Sequence, residues 1–351
     1  MSSTVPDQAD PPPAEPPPAE PGEIGAAIDR LSRARVLVVG DAMLDRYIFG
    51  RVLRMSPEAP VPVLTMASEL DEPGGAGNVV HNLCALGAAT AFVSVVGDDA
   101  AGAELTGLIG GQKGVEPWLL VQGGRITTVK TRYIAEGSRH GGQQLLRTDR
   151  EDTKPIHPKL SERLVRIARD AMAATSVVVL SDYRKGVLAG DVPGQLIAIA
   201  HAAGRRVVVD MRAGDFARYA GADVLVAHRA DLVAEAEGPP EGPPEGDDAI
   251  AAAAHAVRAA LGIGAVLVKR GEEGLSLVDA EGAAHFRLDP ARLVDLSGAG
   301  DAAVATMAAG IAAGLPVRLA AMLANAAAGV VGARPGTCVV TGADLRAAVA
   351  G

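Results

Sequence analysis

With 351 residues and a net charge of −9, the chain can bury a large core but offers no basic surface for nucleic acid, so small-molecule partners are expected. Its two cysteines, Cys84 and Cys338, stand far apart without metal spacing, which fits a reducing, cytoplasmic compartment and provides no disulfide framework. No basic start followed by an apolar core marks a secretory signal, and the most hydrophobic run, 302–333, is broken by Gly314-Leu315-Pro316 and Arg318. That run reads as two buried helices, so no membrane partner is expected.

In chain order, residues 1–25 are rich in proline and acid and poor in large apolar side chains, and are predicted to be a disordered tail. The runs 36–39, 91–96, 177–180, 207–209, 224–226 and 265–268 are short, apolar and rich in valine, as strands buried on both faces are. Helix-like segments separate most of them, which predicts a mostly parallel sheet covered by helices. Several runs end in polar residues or glycine: Gly40-Asp41, Gly97-Asp98-Asp99, Ser181-Asp182, Asp210 and Lys269-Arg270-Gly271. The carboxyl ends of such strands line a ligand crevice, although an aspartate there also starts helices for structural reasons. Two segments, 48–69 and 118–147, break the pattern. The prolines of the first exclude a central strand, and the second alternates as in Val129-Lys130-Thr131-Arg132-Tyr133-Ile134. Together they predict a small one-sided sheet, either a lid or a dimer surface. A Pro/Gly/Glu stretch at 237–246 reads as a surface loop.

The stretch Leu293 to Asp301, ending Ser297-Gly298-Ala299-Gly300-Asp301, joins a tight glycine turn to an alanine-rich helix. Turn amides and a helix N-terminus make an anion cradle. A carboxylate beside it suits phosphoryl transfer, with Asp301 taking the proton of an incoming hydroxyl; Asp301 could equally cap the helix. Gly298 to Ala303 also fits G-x-G-x-x-A, but a dinucleotide site wants a buried strand before the turn and an acid about 20 positions after it. Neither is present, and no Walker pattern occurs anywhere in the chain.

With these residues in hand, the chain from about Leu31 onward resembles the ribokinase-type (PfkB) sugar kinases. Gly298-Ala299-Gly300-Asp301 is similar to that family's signature near the C-terminus. Gly74-Gly75-Ala76-Gly77-Asn78 is similar to its glycine-rich sugar site, and Ala324-Asn325-Ala326 to the stretch that meets adenine. Within the family the likeness is to the branch of bacterial heptose 7-phosphate kinases. It is carried by Gly40-Asp41-Ala42-Met43-Leu44-Asp45-Arg46-Tyr47, by Ser56-Pro57-Glu58-Ala59-Pro60, by Gln143-Gln144-Leu145-Leu146-Arg147 and by Ser181-Asp182-Tyr183-Arg184-Lys185-Gly186.

The resemblance implies an α/β fold, a ribokinase-like three-layer α/β/α sandwich with a mostly parallel sheet and a small β lid, over one domain, 26–351. It implies transfer of the γ-phosphoryl of ATP to the anomeric hydroxyl of D-glycero-D-manno-heptose 7-phosphate, with Mg2+, in a homodimer joined through the lid. Asp301 would be the general base and Gly298, Ala299 and Gly300 the anion hole. Asp41, Gly74, Gly75 and Asn78 would hold the sugar, and Lys130, Arg132, Lys185 and Arg212 are candidates for phosphate, weighed against ordinary surface charges. His228, Asp231, Lys269, Gly271 and Asn325 would hold ATP, with Asp231 toward Mg2+. The alternatives are the same chemistry on another sugar or nucleoside, or a degenerate kinase fold serving as a sugar-phosphate sensor. The likeness runs to the end of the chain, so no nucleotidyltransferase half is expected. Three departures stand out: His228-Arg229-Ala230-Asp231 in place of Asn-x-x-Glu, Asp210-Met211-Arg212 in place of Asp-Pro-Lys, and the Pro/Gly/Glu stretch into which the region after Asp231 runs. Titrating near the ordinary histidine pKa of about 6.5, His228 is expected to become cationic as pH falls and to weaken Mg2+ binding.

Overall fold

The valine-rich runs become the centre of a nine-stranded sheet. The computed structural model describes residues 21–137, 142–212, 215–235 and 243–350. It opens with α1 (Pro21–Leu31) and β1 (Arg35–Gly40), followed by a ribbon of β2 (Ala42–Met55) and β3 (Pro62–Gly75). Next come α2 (Ala76–Ala85), β4 (Ala89–Gly97), α3 (Ala100–Gly110), β5 (Val115–Gln122), β6 (Val129–Ala135) and β7 (Gln143–Arg150). The chain then alternates through α4 (Pro158–Met172), β8 (Val177–Asp182), α5 (Val192–Ala202), β9 (Arg206–Met211), β10 (Val224–His228), α6 (Gly246–Leu261) and β11 (Ala265–Lys269). It closes with β12 (Leu275–Asp279), β13 (Gly282–Phe286), α7 (Ala299–Ala312), α8 (Val317–Gly332) and α9 (Gly342–Ala350).

The sheet order is β13-β12-β11-β10-β9-β8-β1-β4-β5, parallel from β5 to β11 and antiparallel at β12 and β13. Side chains alternate across it with period two. Val36, Val38, Val179, Val208 and Val226 join the core under α1, α2, α7 and α8, while Leu37, Val39, Val178, Val209 and Leu225 join a second core under α4, α5 and α6. Both faces are covered, which is why the runs read as continuously apolar and why the fold is a three-layer α/β/α sandwich. The run 302–333 is two packed helices, α7 and α8. Strand β1 has β4 on one side and β8 on the other, so the chain reverses direction of winding there and opens a crevice at the carboxyl ends.

A second, four-stranded sheet has the order β3-β2-β6-β7. Its boundaries differ from those read in the sequence. Residues 118–122, expected in the lid, belong to β5, which pairs in parallel with β4 at the edge of the main sheet. An edge strand buried on one face alternates like a lid strand, which explains the misplacement. The ribbon is also rooted deeper than 48, because Ala42, Met43, Leu44 and Tyr47 are buried in the body. Strands β12 and β13 add an antiparallel edge that the short run Gly282–Phe286 did not announce.

Helix α1 takes in 21–25, the end of the segment expected as tail, and residues 1–20 lie outside the described residues. Ala27, Ile28 and Leu31 bury its inner face against the core, with Glu23 in the first turn and Arg30 in the last, both suited to the helix dipole. The low-complexity stretch 237–246 lies outside the described residues as far as 242, and α6 begins at Gly246.

Candidate active site

Helix α7 starts uncapped. Its N-cap residue is Gly298, left-handed at φ +78°, where no side chain offers an acceptor to the first turn. A Cβ there would sit 2.9 Å from the Asn78 amide nitrogen, so glycine is needed for close approach as well. The Ala299 N–H, expected in the anion hole, already donates to the Leu296 carbonyl at 3.1 Å, so the first-turn N–H groups with capacity for an anion are those of Gly300 and Asp301, supported by the helix dipole. Asp301, in that same turn, does not cap it. Its Oδ2 accepts a 2.8 Å hydrogen bond from Asn78 Nδ2, and its Oδ1 accepts one from the Tyr183 hydroxyl. Burial, and next the negative charge of Asp210, push the Asp301 carboxyl above the usual range, while Arg212, Tyr183 and Asn78 pull it back. The result is a buried carboxylate of raised pKa, held by two side-chain donors in the uncapped first turn of α7.

The crevice wall next to it is cationic. Lys269, at the end of β11, donates a 2.5 Å hydrogen bond to Asp210 Oδ1 at the end of β9, and both are buried. Its chain runs past Gly300, where an added Cβ would lie 3.7 Å from Nζ. Arg212 lies over the Tyr183 ring at 4.8 Å and donates a 3.2 Å hydrogen bond to its hydroxyl. The other end of the guanidinium meets His228 Nε2, so two of the departures from the family pattern touch one another. Burial, then Lys269 and Arg212, hold the His228 pKa down to about 3, which overturns the expectation of a cationic histidine. The imidazole stays neutral and accepts. His228→Asn is therefore expected to leave the pH dependence of turnover unchanged across the neutral range, and a shifted profile would show that the ring titrates there.

Asp231 accepts a 3.1 Å hydrogen bond from the His228 backbone N–H and so caps its own turn. Among the described residues no group of three acidic, histidine or cysteine side chains could hold a metal ion. Asp210 is tied to Lys269, and Asp301 to Tyr183 and Asn78, so among the described residues these carboxylates are engaged with protein donors. A divalent ion would arrive on the nucleotide phosphates. A cavity of about 150 Å³ beside the cradle is lined by His228, Lys269, Gly271, Gly274, Leu288 and Ala299, among others. Asn325 closes a nearby wall: its Nδ2 donates 3.0 Å to the Arg287 carbonyl, and its buried Oδ1 has no partner among the described residues.

Around the glycine turn, each residue expected to hold the sugar has partners of its own. Asp41 is fully buried, and its oxygens accept from the backbone N–H groups of Tyr183 and Lys185, both at 2.9 Å, and of Val187 at 3.0 Å. It anchors the loop that presents Tyr183. Burial, then Asp182, raise its pKa to about 6. Asp41→Asn puts an amide N–H against backbone donors and should cost about 1–3 kcal/mol in unfolding free energy. Because the folded pKa lies above the unfolded one, Asp41's own contribution is fully present below about 3.8 and is lost as pH rises through about 6. Denaturant unfolding of wild type and Asp41→Asn at several pH values checks both statements.

A further carboxylate beside the glycine turn is Asp45, which the sequence reading passed over. It lies against Gly74, where a Cβ would collide with it, and accepts a 2.7 Å hydrogen bond from Arg132. Arg132 in turn lies 5.1 Å over the Tyr47 ring, and Tyr47 bonds Thr337. Gly75 immediately precedes α2, which carries Asn78. Lys130 is paired with Asp149 at 2.9 Å and Lys185 with Glu151 at 2.6 Å, so both expected phosphate ligands already hold carboxylates. Asp45 had a signal, an acid directly after the apolar run Ala42-Met43-Leu44; Tyr183 had only its place immediately after a buried strand.

Comparison with known proteins gives the family and the fold. The profile of the pfkB family carbohydrate kinases matches residues 33–341. The bifunctional protein HldE of Acidiphilium cryptum is 56% identical over 328 residues, 93% of this chain and 66% of that protein. The bifunctional protein HldE of Rhodospirillum rubrum is 46% identical over 320 residues, 91% of this chain and 63% of that protein. The chain thus spans less than two thirds of the length of these relatives. Among solved structures, Arabidopsis thaliana ribokinase complexed with ribose and ATP superposes with a TM-score of 0.66 at 20% identity, covering 90% of this chain and 99% of that one. The tetrameric inhibited form of Escherichia coli phosphofructokinase-2 gives 0.71 at 17% identity, covering 91% and 98%. With an uncapped helix start, a buried carboxylate in its first turn and a family profile covering most of the sequence, the chain belongs to the pfkB family of carbohydrate kinases.

Proposed function

We propose that this carbohydrate kinase transfers the γ-phosphoryl of ATP to the anomeric hydroxyl of D-glycero-D-manno-heptose 7-phosphate, giving the 1,7-bisphosphate. The observation that carries the reaction type is Asp301, buried at the uncapped start of α7 with each oxygen held by a side-chain donor. The sugar hydroxyl gives its proton to Asp301 as its oxygen bonds to the γ-phosphorus, and the bond to the β-phosphate oxygen breaks to release ADP. The Gly300 and Asp301 amides of α7 and the Lys269 ammonium take up charge on the transferring group. Asp45, with Arg132 beside it, receives hydroxyls, and a cavity of about 340 Å³ lined by Tyr47, Arg132, Gln144, Asp295 and Thr337 lies under the lid for the distal end of the substrate.

The choice of a heptose phosphate is supported by the Ser56-Pro57-Glu58-Ala59-Pro60 and Ser181-Asp182-Tyr183 motifs and by the HldE relatives. Purified protein assayed for ADP release against a panel of sugars and sugar phosphates tests it, with phosphorus NMR to place the new phosphate. Heptose 7-phosphate should give the highest kcat/KM. A better furanose or nucleoside would replace the substrate, and no turnover with any member would favour the sensor reading.

The lid also supports pairing with a second copy. Leu53, Met55, Val61 and Met66 on the outer half of the β2–β3 ribbon are large, apolar and exposed. Light scattering should show a dimer that Leu53→Glu with Met66→Glu dissociates; a monomeric wild type would end the idea. No helix among the described residues is long and apolar enough to cross a membrane.

A further inference from the structure

The hydrogen bonds behind Asp301 form a chain whose polarity is set from its far end. Asn78 and Asn82 lie four residues apart on α2, hence on one face of it, and both are buried. The Val340 backbone N–H donates to Asn82 Oδ1 at 3.1 Å. That N–H has no alternative role, so the oxygen of Asn82 must face Val340 and its nitrogen must face Asn78. Asn82 Nδ2 then donates to the Asn78 carbonyl at 3.0 Å and to Asn78 Oδ1 at 3.1 Å. An amide nitrogen can only donate, so Asn78 must offer its oxygen to Asn82 and turn its own nitrogen to Asp301, where it donates to Oδ2 at 2.8 Å. Each link forces the next.

We propose that Asn82 is a positioning residue for phosphoryl transfer: anchored by Val340, it holds the Asn78 amide with nitrogen toward Asp301 and so keeps the base oriented for the sugar hydroxyl. The proposal rests on the reading of Asp301 as the base. Asn82 does not touch substrate; it acts through Asn78. With the order reversed, a carbonyl oxygen would be forced against a buried carboxylate, a contact with no compensating donor. The remaining charged and titratable groups around Asp301 come from elsewhere: Tyr183 from the loop after β8, Asp210 and Arg212 from the end of β9, and Lys269 from β11. None of them bonds Asn82, so a change at 82 leaves them in place.

The test is Asn82→Asp, with Asn82→Ala as the second variant should the first fail to fold. A carboxylate at 82 still accepts from Val340 but demands a donor from Asn78, which inverts the Asn78 amide. Expected is a fall in kcat of about tenfold or more, the weight of a coupling between contacting groups, with KM for ATP unchanged and the acid limb of kcat/KM moved to higher pH. Asn82→Ala should move both readings the same way by less. In an Asn78→Ala background the Asn82 substitutions should add nothing. Wild-type turnover and acid limb in both Asn82 variants would overturn the proposal, and so would a loss confined to melting temperature or one that persists without Asn78. Asp301→Asn, run alongside, separates the two readings. If that variant keeps its turnover, the base assignment falls and the proposal with it. If it is inactive while the Asn82 variants behave as wild type, only the role of Asn82 falls.

Discussion

Asp301→Asn is expected to lower kcat by about 10²–10⁴-fold, the usual weight of a general base, while nucleotide affinity and thermal stability stay near those of wild type. The stability half of this expectation follows from opposing terms. An amide at 301 keeps only one acceptor, so one of the bonds from Tyr183 and Asn78 is lost, at about 0.5–1.5 kcal/mol. Against that, the substitution removes a carboxylate that burial and Asp210 disfavour in its charged form. In the wild type, activity should fall as pH drops through the raised Asp301 pKa, because only the ionised form accepts the hydroxyl proton. Turnover within two- or threefold of wild type would remove the assignment and leave Asp301 a structural residue of α7.

How far the sequence reached depended on whether a residue's role was local or set by a distant contact. The glycine turn, its helix and the paired core helices were legible because backbone conformation and apolar run length are local properties. So were the six central strands, whose two-sided burial leaves continuous valine. Strand β5 was misread because one-sided burial at a sheet edge alternates as a lid strand does. Asp41 looked like a ligand from its place at a strand end, yet its oxygens are consumed by a loop some 140 residues later in the chain, between Tyr183 and Val187. Nothing local to Asp41 could reveal that. His228 is the same case: the intrinsic pKa suggests a cation, and only the arrival of Lys269 and Arg212 beside a buried ring shows it neutral. Asn82 could be paired with Asn78 by helical spacing, but the polarity of the pair comes from Val340, which no spacing rule connects to α2.

Lys269→Met should separate what this lysine does for the fold from what it does for the reaction. Its ammonium and the Asp210 carboxylate are both buried and bond at 2.5 Å, and the second oxygen of Asp210 already lacks a partner among the described residues. Removing the cation leaves an uncompensated charge between β9 and β11, a defect that costs about 3–5 kcal/mol in comparable buried pairs. Denaturant unfolding reads that loss directly. Asp210→Asn added to Lys269→Met discharges the orphan and should recover most of the stability, since a neutral amide is far cheaper to bury than an unpaired ion. Activity should not return with it. The lysine passes Gly300 in the first turn of α7, where in the proposed reaction a positive charge would stabilise the transferring phosphoryl, and losing one such group costs on the order of 10²–10³-fold in kcat. A single variant as stable as wild type would show that the pair is not what holds the two strand ends together. A double variant that regains both stability and turnover would show instead that Lys269 serves the fold alone, and the phosphate would then have to be met by Arg212 and the α7 amides.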